Sequence, residues 1–366
     1  MLLIPGLCSA PQCVDRFCRY TDVCTVCTVL YSPRDLQYRI SESSFKVQTH
    51  GTLYYLRYLK WIYLKLDYEK YLIISGGGTG YIGSRLAQLL SKEGYQTVCV
   101  SRDSKKAPLT WSNIESYGLP SDTHSVINVA GLNVFLTFWT KDFKEEVRES
   151  RIRTTKILAK AITNTAAKSF LTISGVGYYK PDTDIIYDED SQCEPFDFFS
   201  QLCHDWEAAA KLPSSSEIRQ ATIRSGVVLG NGSGIDKNMR IPFKCYMGGP
   251  MGSGKQYMPW IHINDLVNMF SFTLKNENVS GVLNGVAPEV IYQTFILEFT
   301  KEYAKALGVI AIAPTPSFVI NLVFHKERAI MLLQGQKITP KRPLELGFEY
   351  QHSTLRSAFT QLKIQY

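Results

Sequence analysis

Gly77, Gly80 and Gly83 recur every third residue in the stretch YLIISGGGTGYIG, which begins at Tyr71. Gly78, Gly80 and Gly83 also fit the G-x-G-x-x-G spacing, with Thr79, Tyr81 and Ile82 between them. Lacking side chains, such positions let a backbone turn tightly and approach a pyrophosphate, whose charge a helix N-terminus favours. The chemistry expected is a grip on a dinucleotide. Which dinucleotide depends on the end of the next strand. An acidic residue about 20 positions on would accept hydrogen bonds from a free ribose diol. Here that end reads Val100-Ser101-Arg102, and an arginine suits a 2′-phosphate through charge-assisted hydrogen bonds. Lys105 and Lys106 add positive potential, while Asp103 argues the other way. NADP(H) is expected ahead of NAD(H).

Such a loop works only between a strand and a helix, and the flanking sequence has both patterns. YLIIS is a short buried-type run, GSRLAQLLSKEG carries apolar residues at helical spacing with Gly94 as a stop signal, and QTVCVS reads as the next strand. The alternation continues. Ser125–Ala130 reads as a strand, Lys141–Thr163 as one long helix, KSFLTISGVGYY as a strand entering a loop, DFFSQLCHDWEAAAKL as a helix and QATIRSGVVLG as a strand. Alternating strands and helices predict an α/β fold, a doubly wound parallel sheet of the Rossmann type with right-handed crossovers. Past Gly230 the chain becomes rich in Gly, Pro and aromatics, a texture suited to a substrate lid. His262 in that block reads equally as a general base or as a structural hydrogen-bonding histidine, and Lys255, Gln256 and Trp260 lie beside it.

The 366-residue chain is 45% apolar and 20% charged, which suits a globular fold and excludes disorder throughout. Its net charge of +7 comes without a long basic run, so no nucleic-acid partner is expected. No uncharged apolar run reaches the roughly 18 residues of a membrane span. Five of nine cysteines crowd the first thirty residues, where Cys24 and Cys27 form a CxxC with no second pair. Free thiols in a reducing compartment, and no metal site, are expected. Leu53–Leu66 could form a short amphipathic helix. Residues 1–40 are poor in acids and weakly resemble a mitochondrial presequence, so the expected location is cytoplasmic, or mitochondrial on that reading. The expected organisation is an N-terminal extension over 1–69 and a cofactor-binding Rossmann domain over 70–230. A lid region with interleaved Rossmann elements follows over 231–312, and a small C-terminal domain over 313–362.

Together with NVAGLN (Asn128–Asn133), SGVGYY (Ser174–Tyr179) and IRSGVVLG (Ile223–Gly230), the glycine loop resembles the extended short-chain dehydrogenase/reductase superfamily. DFFSQLCHDWEAAA, GGPMGSGKQYMPWIHINDL, NGVAPE and GQKITPKRPLELGF narrow the resemblance to an atypical branch, the epimerase family proteins. These pair an NAD-dependent epimerase-like domain with a C-terminal DUF1731 domain. The resemblance spans about Tyr71 to Leu362. It implies that Asn128, Ala130 and Gly131 line the ribose side of the cofactor and that Ser174 ends a strand beside the nicotinamide. It also implies a small-molecule substrate, carbonyl or sugar-like, and leaves a homodimer open.

In that superfamily the acid/base is a tyrosine with a lysine four residues later on a helix, the lysine lowering the tyrosine pKa and holding the nicotinamide ribose. With Glu207 as the acid that commonly follows, the lysine position falls on Cys203 and the tyrosine position on Phe199. The dyad is therefore expected to be missing. Ser174, Tyr178 and Tyr179 are the substitute candidates; Cys203 reads as a reactive thiol or, more simply, a small buried residue. Arg148 and Arg151 read as anion partners or surface salt bridges, His204 and Asp205 as solvated, and Lys156 as exposed. Two functions remain open: an NADP(H)-dependent oxidoreductase or epimerase, and a non-catalytic NADP(H)-binding sensor or interaction protein.

Overall fold

The computed structural model describes residues 71–74, 76–134, 136–288 and 296–360. The expected helix at Leu53–Leu66 and the Cys24/Cys27 pair lie outside them. From the glycine loop's strand onward the elements are β1 (Tyr71–Ile74), α1 (Tyr81–Lys92), β2 (Gln96–Ser101), β3 (Leu109–Thr110), α2 (Trp111–Tyr117), β4 (Ser125–Asn128), α3 (Lys141–Glu149), α4 (Ile152–Ile162) and β5 (Ser169–Gly175). There follow β6 (Asp182–Tyr187), α5 (Phe198–Ala210), β7 (Arg219–Ser225), β8 (Val227–Leu229), α6 (Gly234–Lys244), β9 (Trp260–His262), α7 (Ile263–Lys275) and β10 (Gly281–Gly285). The C-terminal part holds α8 (Ile296–Leu307), α9 (Ser317–Leu333), β11 (Gln336–Ile338), α10 (Lys341–Glu345) and α11 (Leu355–Phe359).

Seven strands form one parallel sheet in the order β10-β7-β5-β4-β1-β2-β3. The strand order reverses between β1 and β4. In open α/β sheets, ligands bind at this switch point, beyond the carboxyl ends of the strands. The glycine loop leaves β1 there and the Asn128–Gly131 turn leaves β4 there. Successive side chains on a strand face opposite sides. Ile127 and Leu171 therefore pack with Leu86, Leu90, Leu266 and Phe270 of α1 and α7. Their neighbours Val126 and Phe170 pack with Ile114, Leu158 and Ile162 of α2 and α4. Helices thus cover both faces, as a parallel sheet requires. A separate cluster joins Phe243 and Trp260 to Phe299, Tyr303, Leu355 and Phe359 of α8 and α11.

Lys141–Thr163 is not one helix. It breaks at Arg151, whose backbone lies at φ −110°, ψ −60°. There the Ser150 hydroxyl accepts the Leu132 N–H and donates to the Val147 carbonyl. Gln220–Gly230 is not one strand. It divides at Gly226, where a Cβ would lie 2.7 Å from the Pro259 carbonyl oxygen, and β8 leaves to pair with β9. The tail contains β11, paired in parallel with β6. Among the described residues no helix is long and apolar enough to cross a membrane.

Candidate functional site

Gly77, Gly78 and Gly83 are each required by a different neighbour. A Cβ at Gly77 would lie 2.2 Å from the Val129 carbonyl oxygen, just beyond β4. The glycine loop and the NVAG turn therefore touch backbone to backbone. A Cβ at Gly83 would lie 1.9 Å from the Gly77 oxygen. The third glycine thus lets α1 close on its own loop. At Gly78 the neighbour is the Cys99 thiol on β2, at 2.7 Å. Gly80 is the N-cap of α1 and has no side-chain cap, and no acidic residue occupies the first turn. Thr79 and Gly80 are exposed. The helix N-terminus is open to an anion, as the motif requires.

Tyr81 and Arg85 fasten α1 to the segment that follows β8. The Arg85 guanidinium lies 3.8 Å above the Tyr81 ring. Both side chains donate to the Asn231 carbonyl. Burial pushes the Tyr81 hydroxyl up to about 12. Beyond Asn231, Asp236 of α6 accepts from Arg240 and from the buried Tyr303 hydroxyl.

At the end of β2, Ser101 is buried and Arg102 exposed. Asp103, the residue that argued for a free ribose, accepts the Lys105 N–H at 2.9 Å and so serves its own turn. Past β4, the fully buried Asn128 accepts the Ala130 N–H and donates to the Thr155 hydroxyl, which also accepts the Trp206 indole N–H. Asn128 thus shapes the turn, while Gly131 is exposed at its apex. A Cβ at Gly131 would lie 3.1 Å from the Arg151 guanidinium carbon. Arg151 is not a surface residue; burial pulls its pKa down to about 10. Arg148 does pair at the surface, with Asp205 at 2.8 Å, so Asp205 is not merely solvated. Lys156 and Lys255 are exposed.

At the end of β5, Ser174 is 3% exposed and its hydroxyl has no hydrogen-bond partner. The α5 residues expected at the dyad positions pack beside it. A Cβ at Gly175 would lie 3.4 Å from the Cys203 sulfur and 3.6 Å from the Phe199 ring, and one at Gly177 would lie 2.2 Å from that ring. Burial pushes the Cys203 thiol up to about 12, so it behaves as a small packed residue rather than a nucleophile.

Tyr178 and Tyr179 belong to a polar network that also contains Arg224, a residue the sequence reading passed over. Arg224 lies inside β7 and forms a two-armed pair with Glu207 of α5, both arms 2.8 Å. It also donates to the Tyr179 hydroxyl and lies 3.4 Å above the Tyr178 ring. Burial opposes its charge, but the hydrogen bonds and charge of Glu207 outweigh it and hold the guanidinium above its ordinary range. The Tyr179 hydroxyl, pushed up to about 12 by burial, reaches the Asn284 side chain and the Asp188 carbonyl. The Tyr178 hydroxyl donates to Gln192, and His204, stacked on its ring, is not solvated. The signal available in the sequence was a lone charge inside the apolar run ATIRSGVV.

His262 follows its structural reading. Its Nδ1 accepts the Asn264 N–H and caps α7. Burial, the neighbouring His352 and Arg85 pull its pKa down to about 3. The Gln256 amide donates to the carbonyls of Met251 and Leu332. Among the described residues no cluster of His, Cys, Asp or Glu could hold a metal ion.

The family model described as NAD dependent epimerase/dehydratase family matches residues 73–284. A domain of unknown function, DUF1731, matches residues 315–362. The mouse epimerase family protein SDR39U1 is 47% identical over 290 residues, covering 78% of this chain and 97% of the mouse protein. The crystal structure of human SDR39U1 (isoform 2) with NADPH is similar at a TM-score of 0.76 and 43% identity, over 80% of this chain and 99% of that one. The nucleoside-diphosphate sugar epimerase of Corynebacterium glutamicum is similar at a TM-score of 0.63 and 25% identity, over 84% of this chain and 61% of that one. The chain therefore belongs to the NAD dependent epimerase/dehydratase family, in the branch of epimerase family proteins that carry a C-terminal DUF1731 domain.

Proposed function

We propose that this chain is an NADP(H)-dependent oxidoreductase or epimerase of the atypical short-chain dehydrogenase type, acting on a small carbonyl or sugar-like substrate without the usual tyrosine–lysine dyad. The observation that carries the cofactor is the open N-terminus of α1, set at the sheet's switch point with the exposed Arg102 at the end of the adjacent strand. NADPH in the crystal of the human relative supports the same choice. The residues that fit the cofactor are Gly77, Gly78, Thr79, Gly80, Tyr81, Ile82 and Gly83 for the pyrophosphate, and Ser101 and Arg102 for the 2′-phosphate. Asn128, Ala130, Gly131 and Ser174 fit the nicotinamide side. Bound NADP(H) supplies hydride chemistry. Proton handling falls to the chain, and Ser174 is favoured because its hydroxyl is uncommitted, whereas those of Tyr178 and Tyr179 have partners. Residues 70–230 would bind the cofactor, 231–312 would cover the substrate, and 313–362 would close the C-terminal side.

Fluorescence titration tests the cofactor. NADPH should bind more tightly than NADH, and Arg102→Ala should weaken NADPH about tenfold while leaving NADH unchanged, since one charge-assisted phosphate contact is removed. Equal or tighter NADH binding would sink the assignment. Turnover is tested by NADPH oxidation against a carbonyl and nucleotide-sugar panel. A second reading, a non-catalytic NADP(H)-binding sensor or interaction protein, is favoured by Phe199 and Cys203 on α5. It predicts tight NADPH binding, no hydride transfer in stopped flow, and a partner whose capture depends on NADPH.

A further inference from the structure

Arg151 has two features that packing alone does not explain. It is 9% exposed, and no carboxylate pairs with it among the described residues. Its terminal nitrogens donate to the Val147 carbonyl, the Ser150 hydroxyl and the Leu132 carbonyl, while Nε is left without a partner. A buried cation without a counter-charge and a buried donor without an acceptor are both unfavourable. The surroundings indicate what would satisfy them. On one side is the exposed Gly131, where an added Cβ would lie 3.1–3.3 Å from the guanidinium. On the other is the Trp206 ring of α5, 5.1 Å away and three residues beyond Cys203. Ser174, beside Cys203 across Gly175, presents a second buried group without a partner. The helix break at Ser150–Arg151 secures this position, because both side chains bond back to Leu132 and Val147.

We propose that Arg151 supplies, from the start of α4, the cationic donor that holds the nicotinamide-side ribose, in place of the lysine expected at Cys203. This rests on the NADP(H) reading above. Arginine suits the role because its charge persists in a buried site where an ammonium group would lose its proton more readily. Arg151 is then a cofactor-binding residue, and Gly131 is small because the guanidinium lies against it.

The test compares NADPH with adenosine 2′,5′-bisphosphate, which keeps the 2′-phosphate and the adenosine but has no nicotinamide riboside. Arg151→Met should weaken NADPH about tenfold or more and change the bisphosphate less than twofold. Arg151→Lys keeps the charge but removes Nε–H, and should weaken NADPH at least threefold, again selectively. Cys203→Lys placed in the Arg151→Met background should restore most of the lost NADPH affinity. NADPH affinity unchanged in both arginine variants would overturn the proposal, and so would equal loss of both ligands in Arg151→Lys. If the unsubstituted chain binds neither ligand, the cofactor reading itself falls and this assignment with it.

Discussion

At the scale of single residues, the site is defined by which polar groups are committed and which are not. Arg224 satisfies both Glu207 and Tyr179, so the three hold β7, α5 and the turn after β5 together; they do not offer a free proton donor. Removing one partner of such a pair strands a buried charge, which costs about 3–5 kcal/mol. Glu207 side-chain exposure is 15% and that of Arg224 is 4%, so Glu207→Gln should fall near the lower end of that range. A thermal melt checks it, and an unchanged melting temperature would mean that the pair adds nothing. The close-approach glycines were legible in the sequence because local spacing carries their meaning. Arg224 was half legible. Its charge stood out in an apolar strand, but its partner lies 17 residues away on a helix, and no local period links a strand to the helix before it. Arg151 was misjudged for a similar reason. Its helix looked continuous, and contacts to Leu132 and Val147 turn it inward.

At the scale of elements, the loop between β1 and α1 makes its glycines unequal although they share one motif. A methyl group at Gly83 would collide with the Gly77 carbonyl at 1.9 Å, forcing α1 away from the glycine turn. A methyl group at Gly80 would meet the same oxygen at 3.2 Å, and Gly80 has φ −86°, which any residue tolerates. Gly83→Ala should therefore cost about 1–3 kcal/mol, the range for overpacking a tight site, and reduce NADPH affinity more than tenfold. Gly80→Ala should reduce both only slightly. Parallel titrations and melts of the two variants decide this; equal losses would mean that the motif acts through backbone flexibility instead. The long elements were readable because strand and helix periods repeat several times within them. The three-residue strands β8, β9 and β11 were not, since a run that short shows no period and is fixed by its partner. Gly226 marks the one such division with a visible cause, the Pro259 carbonyl behind it.

At the scale of the whole molecule, the segment matched by DUF1731 is tied to the Rossmann sheet through α7. Asp265 accepts the N–H groups of Gln351 and His352, and the rings of His262 and His352 lie 3.8 Å apart. His262 caps the same helix through an unprotonated Nδ1. Its folded pKa, about 3, lies below the ordinary value of 6.5. As pH falls below 6.5 the unfolded chain therefore takes up a proton that the folded chain refuses. Stability is full above about pH 6.5 and is lost as pH falls toward 3, at up to about 1.4 kcal/mol per pH unit. Between pH 6.5 and 5 the loss from this residue should be about 1.6 kcal/mol. Asp265 and Glu189, both raised chiefly by burial, act in the opposite sense as they protonate. The variant His262→Asn isolates the histidine, because asparagine still caps a helix but does not titrate. Urea unfolding at pH 6.5 and 5 should show a steeper decline for the unsubstituted chain than for the variant. Equal slopes would place the acid sensitivity elsewhere and leave His262 as a cap alone.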